Sequence, residues 1–397
     1  MLVVFGPFAA GYFLSFFFRN VNAVISKDLT AEFALSPSDL GFLTSMYLLA
    51  FAAFQLPLGV LLDRYGPRRV VAALLCVAAA GALIFALARD FTMLSIGRAL
   101  IGLGVSAGLM GAIKAFTLWF PLSRLATLNG LYLAAGGIGA VSATAPAEAI
   151  LGAFGWRALF GLTCGLSVAA AALVFFVVPE RELPGKGETL RDQVRAFGTI
   201  FSSGVFWRIA LPLVVCHAAY LALQGLWLGP WLYDVAGEAR EGVAGYLFAT
   251  ALAYMAGSIF FGVAADRFSE RVSRLTVYKL GLCVSLAMFA LLAARVQSGL
   301  GVILTVYGFT SISAALAYAL LTPLFAPALT GRLSTASNVL MFGFSFLFQW
   351  GVGAVLKLFP VAEGRYAPEG YSAALGLLAA LQLATLLWLL PLRQPRL

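Results

Sequence analysis

One arginine lies inside a long apolar segment near the start of the chain. Arg19 falls within residues 3–25, and Tyr12, Ser15 and Asn22 share a helical face with it at spacings of three and four. A guanidinium is a planar fork of donors that binds carboxylate or phosphate groups bidentately. Arg19, Tyr12 and Asn22 are therefore predicted to bind an anion. The alternative is that Arg19 reaches out of the segment or bonds to backbone carbonyls.

A second polar stripe lies in the apolar residues 208–231. Its members, spaced by three or four, are His217, Tyr220, Gln224, Trp227 and Trp231. Polar groups deep in an apolar segment are costly, so Tyr220, Gln224 and Trp227 are predicted to line a substrate cavity. Trp231, near the segment end, is expected to anchor at a membrane interface. His217, which titrates near neutral pH, is a candidate coupling residue or a packing histidine.

Four further side chains are placed by the same reasoning. Arg98 is either part of the anion site or a structural hydrogen-bond donor, and Lys114 is expected to extend to the surface. Glu148 is a candidate partner for Arg19 or Arg98, or is itself a candidate coupling residue. Tyr307 is a candidate substrate contact. Weaker candidates for cavity lining or helix packing are Tyr47, Asn129, Tyr132, Ser311, Tyr318, Asn338 and Gln349.

Composition predicts which secondary structure positions these residues. The 397 residues are 62% hydrophobic and 11% charged, whereas a soluble protein carries about 25% charged residues. Many apolar runs approach the length of about 20 residues that crosses a bilayer. Residues 70–87 are apolar on every face, which excludes the alternation of barrel strands. The spans are therefore predicted to be helices.

Twelve spans are predicted. They cover 3–25, 38–61, 70–88, 93–114, 127–149, 158–178, 208–231, 243–264, 275–294, 299–322, 337–357 and 372–391. The predicted domains are an N-terminal six-helix bundle (1–178), a cytoplasmic linker (179–207) with a short surface helix, and a C-terminal six-helix bundle (208–397).

Basic residues indicate the orientation. With a cytoplasmic N-terminus, the cytoplasmic loops hold 16 Lys and Arg residues and the outer loops hold 7. This bias predicts a multi-pass protein of the cytoplasmic (inner) membrane with both termini in the cytoplasm. It also explains the formal charge of +9 without a nucleic-acid partner.

The two halves resemble each other. Gly59-Val-Leu-Leu-Asp63-Arg64 recurs 203 residues later as Gly262-Val-Ala-Ala-Asp266-Arg267, and Arg124-Leu-Ala-Thr recurs 208 residues later as Arg332-Leu-Ser-Thr. These similar offsets predict a duplicated six-helix unit, a plan that recurs in transporters.

The loop after the second span carries the clearest motif. It contains Gly59, Asp63, Arg64, Gly66, Arg68 and Arg69 at fixed spacing. This pattern resembles the signature loop of the major facilitator superfamily, echoed by Asp266 and Arg267. The resemblance implies an all-α membrane fold of two pseudo-symmetric six-helix bundles, transport by alternating access, and a conformational latch at these residues. We expect Asp63 to meet the positive end of a neighbouring helix.

Arg19-Asn20-Val-Asn22 resembles the first span of the organic anion subgroup, in which an arginine contacts the substrate. The acid that often precedes this arginine is Phe18 here, and the place of the subgroup's span-4 glutamate is Val105. The antiporter pattern of span 5 and the nitrate/nitrite carrier pattern are largely missing. Coupling to protons or to a counter-substrate therefore stays open.

These observations predict a secondary transporter that moves a small organic anion, of carboxylate or phosphate type, as a monomer in the lipid bilayer. The alternative is an exporter of amphipathic or cationic compounds by proton antiport. A sensor or an embedded enzyme fits less well, because the chain has one histidine and neither HExxH nor GxSxG. No cofactor or metal is expected, and Cys76, Cys164, Cys216 and Cys283 are expected to be packing residues.

Overall fold

The computed structural model describes residues 2–181, 190–267, 273–326, 329–362 and 364–392. The chain divides into two compact units. The first comprises residues 1–35 and 43–193, and the second comprises residues 36–42 and 194–397. The predicted domain boundaries stay predictions, and residues 182–189 of the proposed linker lie outside the described part.

Helices make up the first unit. They are α1 (Leu2–Asn20), α2 (Asn22–Phe33), α3 (Pro37–Ala86), α4 (Phe91–Gly104), α5 (Gly108–Trp119), α6 (Leu122–Ser142) and α7 (Ala145–Ala172), which continues as a π-helical turn, Leu173–Val177. Next comes α8 (Leu190–Phe201), in the segment predicted as a linker. Its Ile200 is buried in the apolar core of the second unit.

The second unit is also helical, with one short hairpin. Its elements are α9 (Gly204–Ala222), a π-helical segment (Leu223–Trp227), α10 (Leu228–Asp234), α11 (Arg240–Arg267), α12 (Arg274–Ala293), α13 (Leu300–Ser311), α14 (Leu316–Leu321), α15 (Thr330–Leu356), β1 (Val361–Ala362), β2 (Arg365–Tyr366) and α16 (Pro368–Leu389). Short 3₁₀ turns at Ile312–Ala315 and Thr322–Leu324 flank α14. β1 and β2 pair antiparallel, with Val361 opposite Tyr366.

The prediction of an all-α membrane protein is confirmed. Within the described ranges, nine helical stretches are long and apolar enough to cross a bilayer, or ten if the bent pair α1–α2 is one span. One of the nine is the 50-residue α3, which turns sharply at Gly66. The count of twelve stays a prediction.

Two glycines lie at kinks inside the long helices α3 and α7. Gly66 in α3 has φ of 80° and Gly155 in α7 has φ of 78°, a backbone region that side chains disfavour. Pro67 follows Gly66 and suits the first turn of the next helical segment. The glycine of the signature motif therefore suits the kink between the two helical segments of α3.

The first span differs from its prediction. It was expected to end at residue 25, but helix resumes as α2 after a 49° bend and ends at Phe33, followed by Ala34 with φ of 49°. Charged residues in α2, including Lys27 and Glu32, lowered the apparent hydropathy there. The bend immediately follows Arg19 and Asn20, so it controls where these side chains point.

Candidate substrate-binding site

Arg19 lies in the last turn of α1 and rests on aromatic rings. Its guanidinium carbon is 4.5 Å from the ring centre of Phe16 and 5.5 Å from that of Phe51. Such contacts attract a cation to the face of the ring and restrict its motion. Arg19 is half-buried, so the charge is held between apolar surface and accessible space. Phe16 and Phe51 were missed by sequence reasoning because an aromatic residue in an apolar run carries no distinguishing signal.

Tyrosine rings surround this arginine on the same unit. Tyr12 stacks on Tyr132 with 4.3 Å between ring centres, and the hydroxyl of Tyr132 donates to the carbonyl oxygen of Gly108 at 2.5 Å. A side chain at Gly136 would come within 2.6 Å of the Tyr12 ring, so this glycine lets the ring lie against α6. The hydroxyl of Tyr47 donates to the carbonyl oxygen of Ser15 at 3.0 Å. Tyr47 and Tyr132, weak candidates from the sequence, therefore fix the face that carries Arg19.

Asn22 is completely buried rather than open to a cavity. Its amide nitrogen donates to Thr44 Oγ1 at 2.8 Å, which ties the start of α2 to α3. Its Oδ1 has no hydrogen-bond partner among the described residues. Asn22 thus combines a structural bond with one unused buried acceptor.

Arg98 is enclosed within the first unit. It is 1% exposed, and its Nη1 donates to the carbonyl oxygen of Phe18 at 2.9 Å. The guanidinium carbon lies 5.0 Å from the ring centre of Phe85 and 5.4 Å from that of Phe160. Because Phe18 lies in the last turn of α1, Arg98 places a cation at the negative end of that helix. This geometry favours the structural-donor interpretation of Arg98 over direct substrate contact.

The polar stripe of the second unit crosses a π-helical segment. Residues Leu223–Trp227 form one wide turn between α9 and α10, a feature that is common at functional sites. Gln224 is 2% exposed; its Nε2 donates to the carbonyl oxygen of Leu247 at 3.1 Å, and its Oε1 has no partner in the described part of the chain. Trp227 is fully buried and donates to the carbonyl oxygen of Gln349 at 2.7 Å.

Tyrosines and one histidine lie next to this segment. Tyr220 stacks on Tyr254 with 4.4 Å between ring centres, and Tyr307 lies 5.9 Å from Tyr220. The Nε2 atom of His217 is 3.3 Å from the hydroxyl of Tyr254. Tyr254 was missed by the sequence analysis. The structure thus brings together His217, Tyr220 and Tyr307.

Trp231 was predicted to be an interfacial anchor, and this prediction is wrong. It is fully buried in the protein. The π-helical turn adds a residue to the helix before Trp231, so its side chain does not follow the register that regular α-helical spacing implied. Glu148, in the first turn of α7, is half-buried.

Residues of the signature loop form a network of ion pairs at one end of the first unit. We call this network the basic face, and its members are Asp63, Arg68, Arg69, Lys114 and Glu180. Lys114 pairs with Asp63, so the expectation that Lys114 extends to the surface is wrong. Glu180 pairs with Arg69 and lies 3.5 Å from Arg68, and Arg68 Nε donates to the carbonyl oxygen of Phe175 at 2.7 Å.

The remaining motif residues are less informative. The guanidinium of Arg64 lies 5.2 Å from the ring centre of Tyr65. The side chains of Asp266 and Arg267, in the last turn of α11, lie outside the described part. No group of three His, Cys, Asp or Glu residues suited to a metal ion occurs among the described residues.

Comparison with known proteins decides the family. The model of the Major Facilitator Superfamily matches residues 8–349, most of the chain. The chain belongs to the Major Facilitator Superfamily. It is therefore a multi-pass membrane protein of a transporter family, as the Gly59–Arg69 motif predicted.

Relatives of this superfamily member include transporters of anions. It is 28% identical over 265 residues to the probable nitrate/nitrite antiporter NarK1 of Thermus thermophilus, covering 62% of this chain and 57% of that protein. It is 22% identical over 306 residues to the probable sulfoacetate transporter SauU of Cupriavidus necator, covering 72% and 71%. Its match to the MFS-type transporter phomT of Diaporthe leptostromiformis, 34% identical over 209 residues, spans only 34% of that protein.

Solved structures agree on the fold of this superfamily member. The crystal structure of the nucleoside transporter NupG superposes with a TM-score of 0.76 over 97% of this chain and 98% of that chain, at 14% identity. Identity this low establishes a shared fold and nothing about the transported compound.

Proposed function

We propose that this protein is a secondary transporter that moves a small organic anion across the cytoplasmic membrane by alternating access. The observation that carries the proposal is Arg19, a half-buried cation held on Phe16 and Phe51 beside Tyr12. A guanidinium is a planar fork of N–H donors, and this geometry suits a bidentate carboxylate or phosphate. The printed functions of NarK1 and SauU, which concern nitrate/nitrite and sulfoacetate, support an anionic substrate.

Other residues take supporting roles in this proposal. Tyr220, Gln224, Trp227 and Tyr307 are proposed substrate contacts of the second unit, where Gln224 Oε1 is an unused buried acceptor. Gly59, Asp63, Arg64, Gly66, Arg68 and Arg69 are proposed to form a conformational latch, together with Asp266 and Arg267. Glu148 is a proposed coupling residue, and His217 is proposed to be a packing histidine in contact with Tyr254. Both termini are proposed to lie in the cytoplasm, since basic residues predominate on that side.

Substitution of Arg19 tests the substrate charge. Purified protein is first screened for thermal stabilisation by carboxylates, sulfonates (sulfoacetate among them) and phosphates, because a ligand that binds the folded state raises its stability. Uptake of a stabilising anion is then measured in proteoliposomes. Arg19→Gln should lower the specific uptake rate at low substrate concentration by about 30-fold or more, because a buried charge pair is lost. Arg19→Lys should retain part of it.

The matched control is Arg124→Gln, which removes an exposed arginine of α6 and should leave uptake unchanged. If Arg19→Gln folds and transports the anion at the rate of the unaltered protein, the anion site is not at Arg19.

An exporter of amphipathic cations is a second candidate. The stacked rings of Tyr220 and Tyr254, with Tyr307 beside them, could bind an organic cation through their faces. Stabilisation by amphipathic cations alone, unaffected by Arg19→Gln, would favour this function over anion transport.

A further inference from the structure

A groove runs along the surface of the second unit between α11 and α13. It encloses about 670 Å³, within the range of ligand sites. Its lining residues come from the start of both helices and from the connector before α11, and they are Glu238, Gly242, Gly245, Tyr246, Ala249, Gly301, Val302, Thr305 and Val306. None of these residues belongs to the proposed substrate site.

The groove exists because the two helices touch elsewhere. A side chain at Gly257 would overlap the carbonyl of Phe309, and one at Gly308 would lie 2.5 Å from the carbonyl oxygen of Thr250. At these points the backbones of α11 and α13 are in contact, as small residues permit in membranes. At Gly245, by contrast, an added Cβ would meet nothing within 4 Å. The helices therefore diverge toward Gly245 and Gly301 and leave open space.

A carboxylate is fixed at the open end of the groove. The backbone N–H of Glu238 donates to the carbonyl oxygen of Leu232 at 3.0 Å, and Gly237 before it has φ of 71°. Gln297 donates to the carbonyl oxygen of Val235 at 2.6 Å and holds the same connector. A Cβ at Gly242 would be 2.5 Å from Glu238 Oε2, so the carboxylate lies against the first turn of α11.

The Glu238 carboxylate has no hydrogen bond or ion pair with any described side chain, although the residue is half-buried beside apolar surface. An anionic group in that setting attracts a cation. Arg240, the first residue of α11, adds a positive charge at the same end. The carboxylate of Glu238 at this place matches a headgroup that carries an ammonium.

We propose that this groove binds a phospholipid with a primary ammonium headgroup. The ammonium pairs with Glu238, and one acyl chain lies along Gly245, Val302 and Val306. The arrangement follows the axis of a bilayer, because the charged end coincides with the first residues of α11 and α13 and the apolar part extends along the spans. Val302 is 68% exposed, which leaves apolar surface for the chain to cover. This site goes beyond the proposed anion transport and does not depend on it.

Lipid binding to the purified full-length chain tests the proposal. The protein is exchanged into detergent micelles with phosphatidylethanolamine or phosphatidylglycerol, and bound lipid is counted by native mass spectrometry. Phosphatidylethanolamine should bind at least about tenfold more tightly than phosphatidylglycerol, because only its headgroup offers an ammonium to Glu238. Equal binding of the two lipids would overturn the proposal.

Three variants locate the site. Glu238→Gln, which keeps the shape of the side chain, should weaken phosphatidylethanolamine binding about tenfold, whereas Glu241→Gln on the exposed first turn of α11 should not change it. Gly245→Leu fills open space and should weaken binding without loss of folding, checked by the unfolding temperature in lipid-free detergent. Unchanged binding by folded Glu238→Gln contradicts the proposal. So does a soluble alkylammonium that binds at Glu238 while phosphatidylethanolamine does not.

Discussion

The interiors of the two units are polar in different ways. The first unit holds two arginines against aromatic rings, Arg19 on Phe16 and Phe51 and Arg98 between Phe85 and Phe160. In the described part of the second unit, the tyrosines Tyr220, Tyr254 and Tyr307 form a cluster next to His217 instead. The difference supports the proposed anion site at Arg19 in the first unit, with aromatic surface and hydrogen bonds proposed for the second unit.

The ends of the units, in contrast, use basic residues alike. Arg68 donates to the carbonyl oxygen of Phe175 at the end of the α7 stretch. Arg208 donates to the carbonyl oxygen of Trp388 in α16. Lys279 donates to the carbonyl oxygens of Leu390 and Leu392, just beyond the end of α16. Cations near a helix C-terminus satisfy its last carbonyls and its dipole. The basic residues that set topology therefore also cap helices, and the contrast between the units is confined to their interiors.

Apart from Arg19, the largest effect is expected at Arg98, the enclosed cation of the first unit. Arg98→Met removes the donor to Phe18 O, which supports the end of α1 beside Arg19. We expect half-maximal uptake to need about tenfold more substrate, with a smaller change in maximal rate, and Arg98→Lys to recover part of the affinity. Uptake kinetics in proteoliposomes measure both. A folded Arg98→Met with unaltered affinity would show that Arg98 does not position this face.

A smaller effect is expected at Trp227, a buried and uncharged hydrogen-bond donor of the second unit. Trp227→Phe leaves the buried carbonyl of Gln349 without this donor, at a cost of about 1–3 kcal/mol. The unfolding temperature in detergent should fall by several degrees. Trp350→Phe, at a tryptophan that is 40% exposed, serves as the control and should change it little. Equal shifts for both variants would mean that the Trp227 bond adds no stability.

The pair on the basic face should contribute less. The side chains of Lys114 and Asp63 are 25% and 29% exposed, so solvent screens their attraction to about 1 kcal/mol or less. Lys114→Met should lower the unfolding temperature slightly, and the exchanged pair Asp63→Lys with Lys114→Asp should recover part of the loss. A double-mutant cycle on unfolding free energies measures the coupling. Zero coupling would show that the two residues are adjacent without stabilising the unit.

The smallest effect is expected at His217. Glutamine can replace its contact with the hydroxyl of Tyr254, so His217→Gln should change uptake less than about twofold between pH 6 and pH 8. The measurement is the pH profile of uptake in both proteins. If the variant loses a pH dependence that the unaltered protein shows, His217 is a coupling residue of the second unit.

The sequence predicted the features that depend on composition and on short motifs. Apolar runs identified a helical membrane protein, the Gly59–Arg69 motif identified the family, and the three-four spacing grouped His217 with Tyr220, whose ring centres are 6.2 Å apart. These signals are local, because a bilayer imposes the same demand on every span. That Arg19 binds substrate stays a prediction.

The features that the sequence did not predict depend on partners distant in the chain. The bend after Asn20 is stabilised by Arg98, which is about 80 residues away in sequence. Lys114 was expected at the surface because its partner Asp63 lies on another helix, 51 residues earlier. Trp231 was misplaced because hydropathy gives no sign of the π-helical turn before it. Each miss came from a tertiary contact or a change of helical register.

That π-helical turn, Leu223–Trp227, makes the helix unusually tolerant of a change in length. It holds one residue more than α-helical geometry needs, so deletion of a single residue there can be absorbed by a return to regular winding. The deletion would leave His217 and Tyr220 in nearly the same orientation relative to Trp231, because the wide turn already takes up the extra residue. One codon therefore separates the π-helical turn from a regular helix that keeps the aromatic side chains on either side in place.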